Sequence, residues 1–388
     1  MIILAIETSC DETAVALIEC DGNIDRASFR ILGNALYSQA EKQAEYGGVY
    51  PNLAKREHQE NLSPLAREAL THAGMFIKAD EDQDIPESVF SNIRDDDFKT
   101  SIASFLKDAG KPDIDLIAVT RGPGLEPALW TGINFAEALS RAWHVPLVGI
   151  DHMEGHIVSA LLKPKDKKHL AFFSPNLPLM ALLISGGHTE LVLMKEWFVY
   201  SAIGKTRDDA VGEAFDKVAR LLSLSYPGGP RIAELAEKSR ARGGSDISFT
   251  IPMAEHPTCD FSFSGLKTAV MYKLKTMDHL SESDREAIAE AFENTARDAL
   301  ITKTRMALQK STVHSLIIAG GVSANKMIRN SFTKLVAEEF PHLDLHVPDP
   351  TLSGDNAIMI GAAAYLRKIS NRAFEGEMTA TGKLTLED

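Results

Sequence analysis

One arrangement of strands and turns occurs twice in this sequence, and that repeat limits the possible folds more than any other feature. Near the start, the apolar runs IILAIE, TAVALIE and DRASFRI predict a meander of three strands. A second meander is predicted by LMALLI, ELVLMK and WFVYSAI. In both copies the first strand enters a serine-bearing turn that ends in threonine, at 9–13 and at 185–189. Because helical patterns alternate with these strands, we expect an α/β protein.

Strand–helix units follow each meander in the same order. A strand, a glycine turn and a helix are predicted from 115–124 onward and again from 315–325 onward. Each copy then adds one more strand that enters a helix, at HVPLVGIDHMEGH and at DLHVPDPTLSGDNAIMIGAAAY. Pairings that recur in one order predict a duplicated, actin-like fold of the Hsp70 and sugar-kinase type, with a ligand cleft between two lobes.

The repeat also predicts how the chain is divided. The expected parts are lobe one at 1–150, lobe two at 151–350, a helix crossing back to lobe one at 351–370 and a C-terminal tail at 371–388. An acidic stretch at about 75–111 has no counterpart in the second copy. We expect this stretch to be a helical insertion on the surface of lobe one.

Composition limits the location and the partners of the chain. Hydrophobic residues make up 44% and charged residues 24%, and no apolar run reaches the roughly 18 residues of a membrane span. Three scattered cysteines and an N-terminus without a secretory leader predict a protein of the reducing cytoplasm. The net charge of −13 argues against binding nucleic acid through the overall field, and leaves local basic contacts or basic partner subunits open.

Two histidines identify a candidate metal site in the segment GIDHMEGH. On a helix, His152 and His156 share one face and can bind one ion. A protease helix of the H-E-x-x-H type carries its base beside the first histidine, but here Met153 stands there and Glu154 is turned away. The repeat places Asp355 of SGDNA opposite the pair, and such a set leaves coordination positions open on iron or zinc. A metal-free histidine pair and an Asp355 that only caps a helix are the alternatives.

Glycine turns and one acidic helix face indicate a nucleotide site. In SGGHT and IIAGGVSAN, glycines after a buried strand let backbone N–H groups approach a phosphate, although hairpins use the same residues. Neither turn has the lysine signature of a P-loop. In RDDAVGEAFDKVARLLSL, Asp216 stands opposite an apolar stripe and can accept hydrogen bonds from ribose hydroxyls, with the glycines of YPGGP beside it. Ordinary solvation of the acidic face is the alternative.

Taken in order, these motifs resemble those of the TsaD family, the bacterial and organellar tRNA threonylcarbamoyladenosine transferases. The resemblance is carried by IETSCDET, GGVYPNLAKREH, RGPG, HMEGH, LLISGGHTEL, GEAFDKVARLL, YPGGP, FSFSGLKTAV, GGVSAN and SGDNA. These segments extend over nearly the whole chain, apart from the stretch near 75–111 and the C-terminal tail.

The resemblance implies an activity and a set of site residues. The reaction would move the threonylcarbamoyl group of threonylcarbamoyl-AMP to the exocyclic amine of the adenosine 3′ to the anticodon, in tRNAs reading codons that begin with A. By the family pattern, His152, His156 and Asp355 would hold a divalent metal ion, iron or alternatively zinc. The residues implied for the adenylate are Leu183, Ile184, Ser185, Gly186 and Gly187, through their backbone, together with Asp216, Gly229 and Asn325. No general base is identified, and Asp11 and Glu12 in the first turn are weak candidates.

The resemblance also implies partners besides tRNA. Bacterial members work with a TsaB-type paralogue and a TsaE-type ATPase, and mitochondrial members act as homodimers. A docking surface is predicted on lobe one, where PNLAKREHQENLSPLAREAL forms one helical region and FAEALSRAW another. The residues expected to form it are Leu53, His58, Leu62, Leu65 and Leu70. Packing of these side chains inside the lobe is the alternative.

Two other functions are consistent with parts of the sequence. An ATPase or sugar kinase of the same fold would explain the repeat but would give the two histidines no role. A metalloendopeptidase would explain the histidines alone. The transferase accounts for the repeat, the histidines and the glycine turns together.

Overall fold

The computed structural model describes residues 1–79, 85–372 and 378–387 of this 388-residue chain. Two β-sheets, one in each lobe, form its framework. The first sheet contains β1 (Ile2–Glu7), β2 (Glu12–Asp21), β3 (Ser28–Ser38), β4 (Leu116–Gly122), β5 (Leu147–Asp151), β6 (Leu162–Pro164) and β7 (His169–Phe172). The second contains β8 (Leu179–Ile184), β9 (Thr189–Glu196), β10 (Val199–Lys205), β11 (Ser315–Ala319) and β12 (Asp344–His346).

Helices cover both sheets. In lobe one and between the lobes they are α1 (Ala40–Ala44), α2 (Pro51–His72), α3 (Asp96–Asp108), α4 (Glu126–Trp143) and α5 (His152–Ala160). The later helices are α6 (Val211–Leu221), α7 (Gly228–Ala241), α8 (Ser264–Lys275), α9 (Glu282–Lys310), α10 (Lys326–Glu339) and α11 (Ala357–Ile369). Within the described ranges, none of them combines the length and the apolarity that crossing a bilayer requires.

Both sheets have the same strand order and the same strand directions, which confirms the predicted duplication. The order is β5-β4-β1-β2-β3 in the first sheet and β12-β11-β8-β9-β10 in the second. In each, an antiparallel meander is extended by two parallel strands. Helices occupy matching positions, since α4 and α10 join the parallel strands and α5 and α11 follow them. The chain therefore has the duplicated, mixed α/β, actin-like fold with two lobes.

Two boundaries differ from the sequence-based expectation. The third strand, predicted at 25–31, begins at Ser28 and continues to Ser38. The hairpin of β6 and β7 pairs with β3, so the sheet of lobe one extends past the predicted boundary at 150 to residue 172. An open strand edge leaves backbone hydrogen-bonding groups unpaired, and β7 pairs those of β3.

Apolar side chains are buried in three cores, one outside each sheet and one between the lobes. Along β1, Leu4 and Ile6 face the outer core of lobe one, whereas Ile3 and Ala5 face the core between the lobes. Burial on both faces explains why this strand is a nearly unbroken apolar run. Helices α5 and α11 fill the space between the two sheets.

The acidic stretch at 75–111 contains helix α3, which packs into the lobe more deeply than a surface insertion would. Phe98, Ile102 and Phe105 belong to the outer core of lobe one. Asp95 caps the helix by accepting a hydrogen bond from the backbone N–H of Phe98. An amphipathic helix buries its apolar face wherever a core is available, and here the core of lobe one is adjacent. Residues 80–84 of this stretch lie outside the described residues.

The residues predicted to form a docking surface face inward, so that prediction is wrong. The buried set is Leu53, His58, Leu62, Leu65 and Leu70. The imidazole of His58 is fully buried, with Nδ1 2.7 Å from Oγ1 of Thr13. In the second predicted docking helix, Phe135 and Trp143 belong to the same outer core. Each helix has one apolar face, and covering the sheet of lobe one uses it.

Helices α5 and α11 approach each other closely between the sheets. A Cβ atom on Gly155 would lie 3.0 Å from the nearest atom of α11, and one on Gly361 would lie 2.6 Å from the nearest atom of β2. These glycines let α11 pack against α5 and against the first sheet at once. Since α5 begins at His152 and Asp355 lies just before Asn356, the N-cap residue of α11, the packing brings the predicted metal ligands together.

Candidate functional site

A cleft with a volume of about 1530 Å³ lies between the lobes. Lobe one lines it with its serine-bearing turn at 9–12 and its glycine turn at 123–125. Lobe two contributes the matching turns at 185–190 and around 321–325. Because each turn follows the end of a strand, the duplicated topology directs all of these turns to one cleft.

The three predicted metal ligands come together at this cleft. Oδ1 of Asp355 lies 3.4 Å from Nε2 of His152 and 3.1 Å from Nε2 of His156. Ligand atoms of the three residues all lie within 4.8 Å of one another. Although it is close to Asp355, the buried Nε2 of His156 makes no directional hydrogen bond to any residue that the structure describes. Two imidazole nitrogens and one carboxylate oxygen at this spacing fit the ligand set of a single divalent ion.

Two residues that the sequence analysis missed orient His152. Buried Glu7, at the end of β1, has Oε2 3.1 Å from Nδ1 of His152, and Oγ of Ser9 lies 3.2 Å from the same nitrogen. Glu7 also accepts hydrogen bonds from the backbone N–H of Ser9 and the hydroxyl of Thr120. With Nδ1 held in this way, Nε2 is the nitrogen directed at Asp355. The sequence feature that could have identified Glu7 is its position as the one charged residue at the end of the apolar strand IILAIE.

Opposite charges shift the pKa values of Asp355, His152 and Glu7. Burial alone would raise the pKa of Asp355, but the neighbouring imidazoles hold that pKa well below its usual range. Burial alone would lower the pKa of His152, yet the carboxylates of Asp355 and Glu7 raise it well above the ordinary value. For Glu7, burial again opposes ionisation and His152 lowers the pKa. The carboxylates are therefore held in the ionised form that binds a cation.

The acid between the two histidines is engaged in an ion pair. Glu154 is fully buried, and its two carboxylate oxygens each lie 2.6 Å from a guanidinium nitrogen of Arg367. This bidentate pair joins α5 to α11. Both oxygens of Glu154 are thus occupied, and the residue has none free to activate a water molecule.

Several glycines of the cleft are not explained by packing within the chain. A Cβ atom on Gly186, Gly187 or Gly229 would meet no atom within 4 Å. None of these three has a positive φ, so backbone strain does not require glycine there either. Each lines the cleft. The open space beside them is what a closely approaching ligand needs, which fits the predicted adenylate site.

Two of the predicted adenylate residues do not line the cleft. Leu183 and Ile184 belong to β8, and their side chains are buried in the core between the lobes and in the outer core of lobe two. Side chains alternate between the faces of a strand, and both faces of β8 are covered. The strand ends before Ser185, which is the first of this run to line the cleft. Ligand contacts from this segment are therefore expected from 185–187.

Asp216 and Asn325 line the cleft, and each also has a structural contact. Oδ1 of Asp216 accepts a hydrogen bond from the backbone N–H of Gly228 at 2.7 Å, and burial raises the pKa of this carboxyl to about 6. Asn325 caps α10 by accepting from the N–H of Ile328, and its amide nitrogen donates to Glu293. The second oxygen of Asp216 is available to a ligand, whereas both ends of the Asn325 side chain are engaged.

The candidate bases Asp11 and Glu12 also line the cleft. The hydroxyl of Tyr226, from lobe two, donates to Asp11 at 3.2 Å, so this contact spans the cleft. Burial and the charge of Asp355 raise the pKa of Asp11, while burial and Asp11 raise the pKa of Glu12 well above its usual value. A raised pKa suits a carboxylate that accepts a proton, but no contact here assigns that role to either residue.

Comparison with known proteins places the chain in a family. It matches the TsaD family, described as tRNA N6-adenosine threonylcarbamoyltransferase, at residues 30–80 and 96–362. The protein of that name from Staphylococcus saprophyticus is 41% identical over 365 residues, which are 94% of this chain and 90% of the relative. The one from Halalkalibacterium halodurans is 39% identical over 387 residues, 100% of this chain and 96% of the relative. This chain belongs to the TsaD family.

Solved structures are much more distant. The ROK hexokinase of Thermus thermophilus has a TM-score of 0.46 and 10% identity, covering 95% of this chain and 100% of that one. Full-length HypF in its phosphate- and nucleotide-bound form has a TM-score of 0.46 and 12% identity, covering 74% of this chain and 43% of that one. The strand order of the two sheets establishes the fold, and these two structures are not used for that conclusion. The TsaD match omits 81–95, inside the acidic stretch, and ends at 362, before the C-terminal tail.

We expect Glu154→Gln to weaken the fold and to leave metal binding intact. The change removes the charge that pairs with Arg367, and breaking a buried pair is strongly destabilising. Because Arg367 keeps 23% of its side-chain exposure, we expect a loss of about 2 kcal/mol in the free energy of unfolding, below the range for a wholly buried pair. Urea unfolding and metal analysis of the folded protein would measure both effects.

The matched control is Glu338→Gln, on the exposed face of α10, which should change stability by less than about 0.5 kcal/mol. Loss of bound metal in Glu154→Gln, to the level of His156→Ala and without any loss of stability, would mean that Glu154 acts at the metal site and not through Arg367.

Proposed function

We propose that this protein transfers the threonylcarbamoyl group from threonylcarbamoyl-AMP to the exocyclic amine of the adenosine 3′ to the anticodon, in tRNAs reading codons that begin with A. The observation that carries the proposal is one cleft that holds both a metal-ligand cluster and ligand-facing glycine turns. Family membership supports it, since the relatives are named tRNA N6-adenosine threonylcarbamoyltransferase. Cytoplasm, where unmodified tRNA is available, is the expected location.

The reaction depends on positioning the substrates more than on creating a strong nucleophile. The donor is a mixed anhydride and is already activated. The amine nitrogen attacks the carbamoyl carbon, the bond from that carbon to the phosphate oxygen breaks, and AMP leaves with the electron pair as the amine releases a proton. Holding the two substrates in line and stabilising the departing charge account for catalysis of this kind. Asp11 and Glu12 are the candidates to accept the proton.

His152 and His156, through Nε2, and Asp355 would hold the metal ion. Two imidazoles and one carboxylate suit Fe²⁺, with Zn²⁺ as the alternative. When bound, the ion supplies Lewis-acid polarisation of a phosphate or carbonyl oxygen. Glu7 fixes the orientation of the His152 ring, so the protein presents its ligand nitrogens before the ion arrives.

The adenylate would lie along the turns of lobe two. The backbone of 185–187 and Gly229 leave room for close approach. Asp216, with one oxygen used by Gly228, would accept from a ribose hydroxyl with the other. Asn325 would support this wall mainly by capping α10.

Each alternative function leaves part of the site unexplained. The protease interpretation needs a base, and Glu154 is occupied by Arg367. The ATPase or kinase interpretation leaves His152, His156 and Asp355 without a role. Casein digestion and γ-phosphate transfer from ATP should both be absent in protein free of contaminating enzymes.

We expect His156→Ala to abolish modification of tRNA, because it removes one of the three candidate metal ligands. The ring is buried, so circular dichroism and thermal unfolding would establish that the variant is folded. Threonylcarbamoyladenosine formed from synthetic donor and unmodified tRNA, measured by nucleoside mass spectrometry, should fall by roughly a hundredfold or more. Bound metal should fall to background. Exposed His279 supplies the control, since His279→Ala should change neither. A His156→Ala protein that keeps both its metal and its activity would contradict the assignment of His156 as a metal ligand.

Replacing Gly187 by alanine should weaken nucleotide binding without weakening the fold. The added methyl group meets no atom of the protein within 4 Å, so the free energy of unfolding should stay within about 0.5 kcal/mol. Against a bound adenylate the same methyl should clash, and calorimetry should report a roughly tenfold weaker affinity for AMP, about 1.4 kcal/mol. Gly265→Ala, an open glycine of α8 outside the cleft, is the control. Unchanged AMP affinity would remove the 185–187 turn from the nucleotide site.

A net charge of −13 makes unaided binding of tRNA weak, so we expect a second subunit to supply basic surface. A TsaB-type paralogue with a TsaE-type ATPase, or a homodimer, would meet this need. Light scattering should therefore report a dimer or a complex with the TsaB-type partner, and modification should be faster with the partner present. A monomer that modifies tRNA equally fast alone would contradict the requirement.

A further inference from the structure

The last described residues of the chain cross from one lobe to the other. This C-terminal strap, residues 378–387, bonds to lobe one where the N–H of Thr381 donates to the carbonyl of Arg121 at 2.9 Å. Next to it, the N–H of Gly124 donates to the carbonyl of Gly382 at 3.2 Å. At its far end, a carboxylate oxygen of Glu387 accepts from the N–H of Ala202 on β10, in lobe two, at 2.9 Å. The strap thus connects both lobes.

Lobe one is shaped to receive the strap. Leu384 is 7% exposed, and a Cβ atom on Gly122 would lie 2.2 Å from the carbonyl oxygen of Thr381. Gly122 also has a φ of +153°, a conformation that side chains disfavour. Met378 packs against the outer core of lobe one, and Leu386 packs against the core between the lobes. These anchors indicate a fixed position and not a loose terminus.

The strap forms part of the cleft wall. Residues 382–385 line the same cleft as the metal ligands and the glycine turns. They are connected to the metal cluster by short contacts, because Gly124 is followed by Leu125, whose N–H donates to the carbonyl of Ser9 at 2.8 Å. Oγ of Ser9 in turn lies 3.2 Å from Nδ1 of His152. The strap therefore lies on the side of the cleft that carries the metal cluster.

Lys383 brings an uncompensated positive charge to this wall. Two other cations of the cleft are paired with carboxylates, Lys217 with Asp209 at 2.6 Å and Arg240 with Glu293 at 2.5 Å, whereas Lys205 and Lys326 line it on the side of lobe two. Lys383 is exposed and makes no hydrogen bond or ion pair with any residue that the structure describes. A lysine held by a fixed backbone beside a cleft rich in carboxylates is suited to bind an anionic group of a ligand.

We propose that the C-terminal strap presents Lys383 to the phosphate of the bound adenylate, and that Lys383 is a positioning residue for the donor. The identity of the donor rests on the function proposed above. The anchoring of the strap does not, and neither the motif resemblance nor the family match extends to it. Phosphate is the anion that the donor shares with AMP, so AMP is the probe.

Calorimetry with AMP and with adenosine tests the role of Lys383. In Lys383→Ala the dissociation constant for AMP should rise roughly tenfold, as for loss of one charge-assisted hydrogen bond, while that for adenosine, which lacks the phosphate, should not change. Lys383→Arg should keep most of the affinity, since it retains the charge. Lys368→Ala, an exposed lysine at the end of α11 outside the cleft, should behave as the unaltered protein.

Detaching the strap from lobe one tests whether Lys383 binds the phosphate only when the strap is held in place. Leu384→Asp places a charge at the buried anchor and should weaken AMP binding about as much as Lys383→Ala. The double variant should then be no weaker than either single one, because the two changes remove the same contact. A chain ending after residue 377 should show the same loss. Circular dichroism and thermal unfolding would establish that each variant is folded.

Two results would overturn the proposal. Unchanged AMP affinity in folded Lys383→Ala would do so, including the case in which only tRNA affinity falls. An equal loss for AMP and adenosine would also do so, because the effect would not involve the phosphate. These measurements need no tRNA, so weaker AMP binding in a protein that fails to modify tRNA would support the role of Lys383 while the proposed transfer reaction fails.

Discussion

Helices α5 and α11 cross between the two sheets where Gly155 carries no side chain, and Glu154 of the first binds Arg367 of the second through both carboxylate oxygens. Close packing and a buried ion pair fix the distance and the rotation of one helix relative to the other. His152 and Asp355 stand at the ends of these same helices. The ligand cluster is therefore as rigid as the contact between the helices, and a shift of α11 would separate the aspartate from both histidines.

Charge in the cleft follows from the same arrangement. Glu7, Asp11, Glu12 and Asp355 gather near the ends of strands in lobe one and the start of α11. Burial and the neighbouring carboxylates raise the pKa of Asp11 and of Glu12. A bound cation would relieve the repulsion between these carboxylates, and an anionic donor would need positive groups to enter. A divalent ion and a lysine from the C-terminal strap would meet these two needs.

The two copies of the repeat place different side chains at the cleft. In lobe one the serine-bearing turn holds Ser9 against His152, one of the candidate metal ligands. In lobe two the equivalent turn carries Gly186 and Gly187, which face open space and suit a nucleotide. Both turns follow the first strand of a meander, so the fold places them across one cleft from each other. A few different side chains on a shared backbone are enough to give the two turns different surroundings.

Sequence periodicity determined the two-lobe fold, because strand and helix patterns are local and the repeat recorded their order. Spacing along one helix likewise predicted His152 and His156, and the repeat supplied Asp355. Only the tertiary structure decided which buried charges serve this cluster: Glu7 and Arg367 are distant in sequence from the residues they hold, and no periodic pattern encodes such contacts. The same limit explains why the docking surface predicted on α2 was wrong. Its apolar face is consistent with binding a partner, but in the structure it packs on the sheet of its own lobe. The limit also explains the strap, whose place on the cleft depends on a glycine turn more than two hundred residues earlier in the chain.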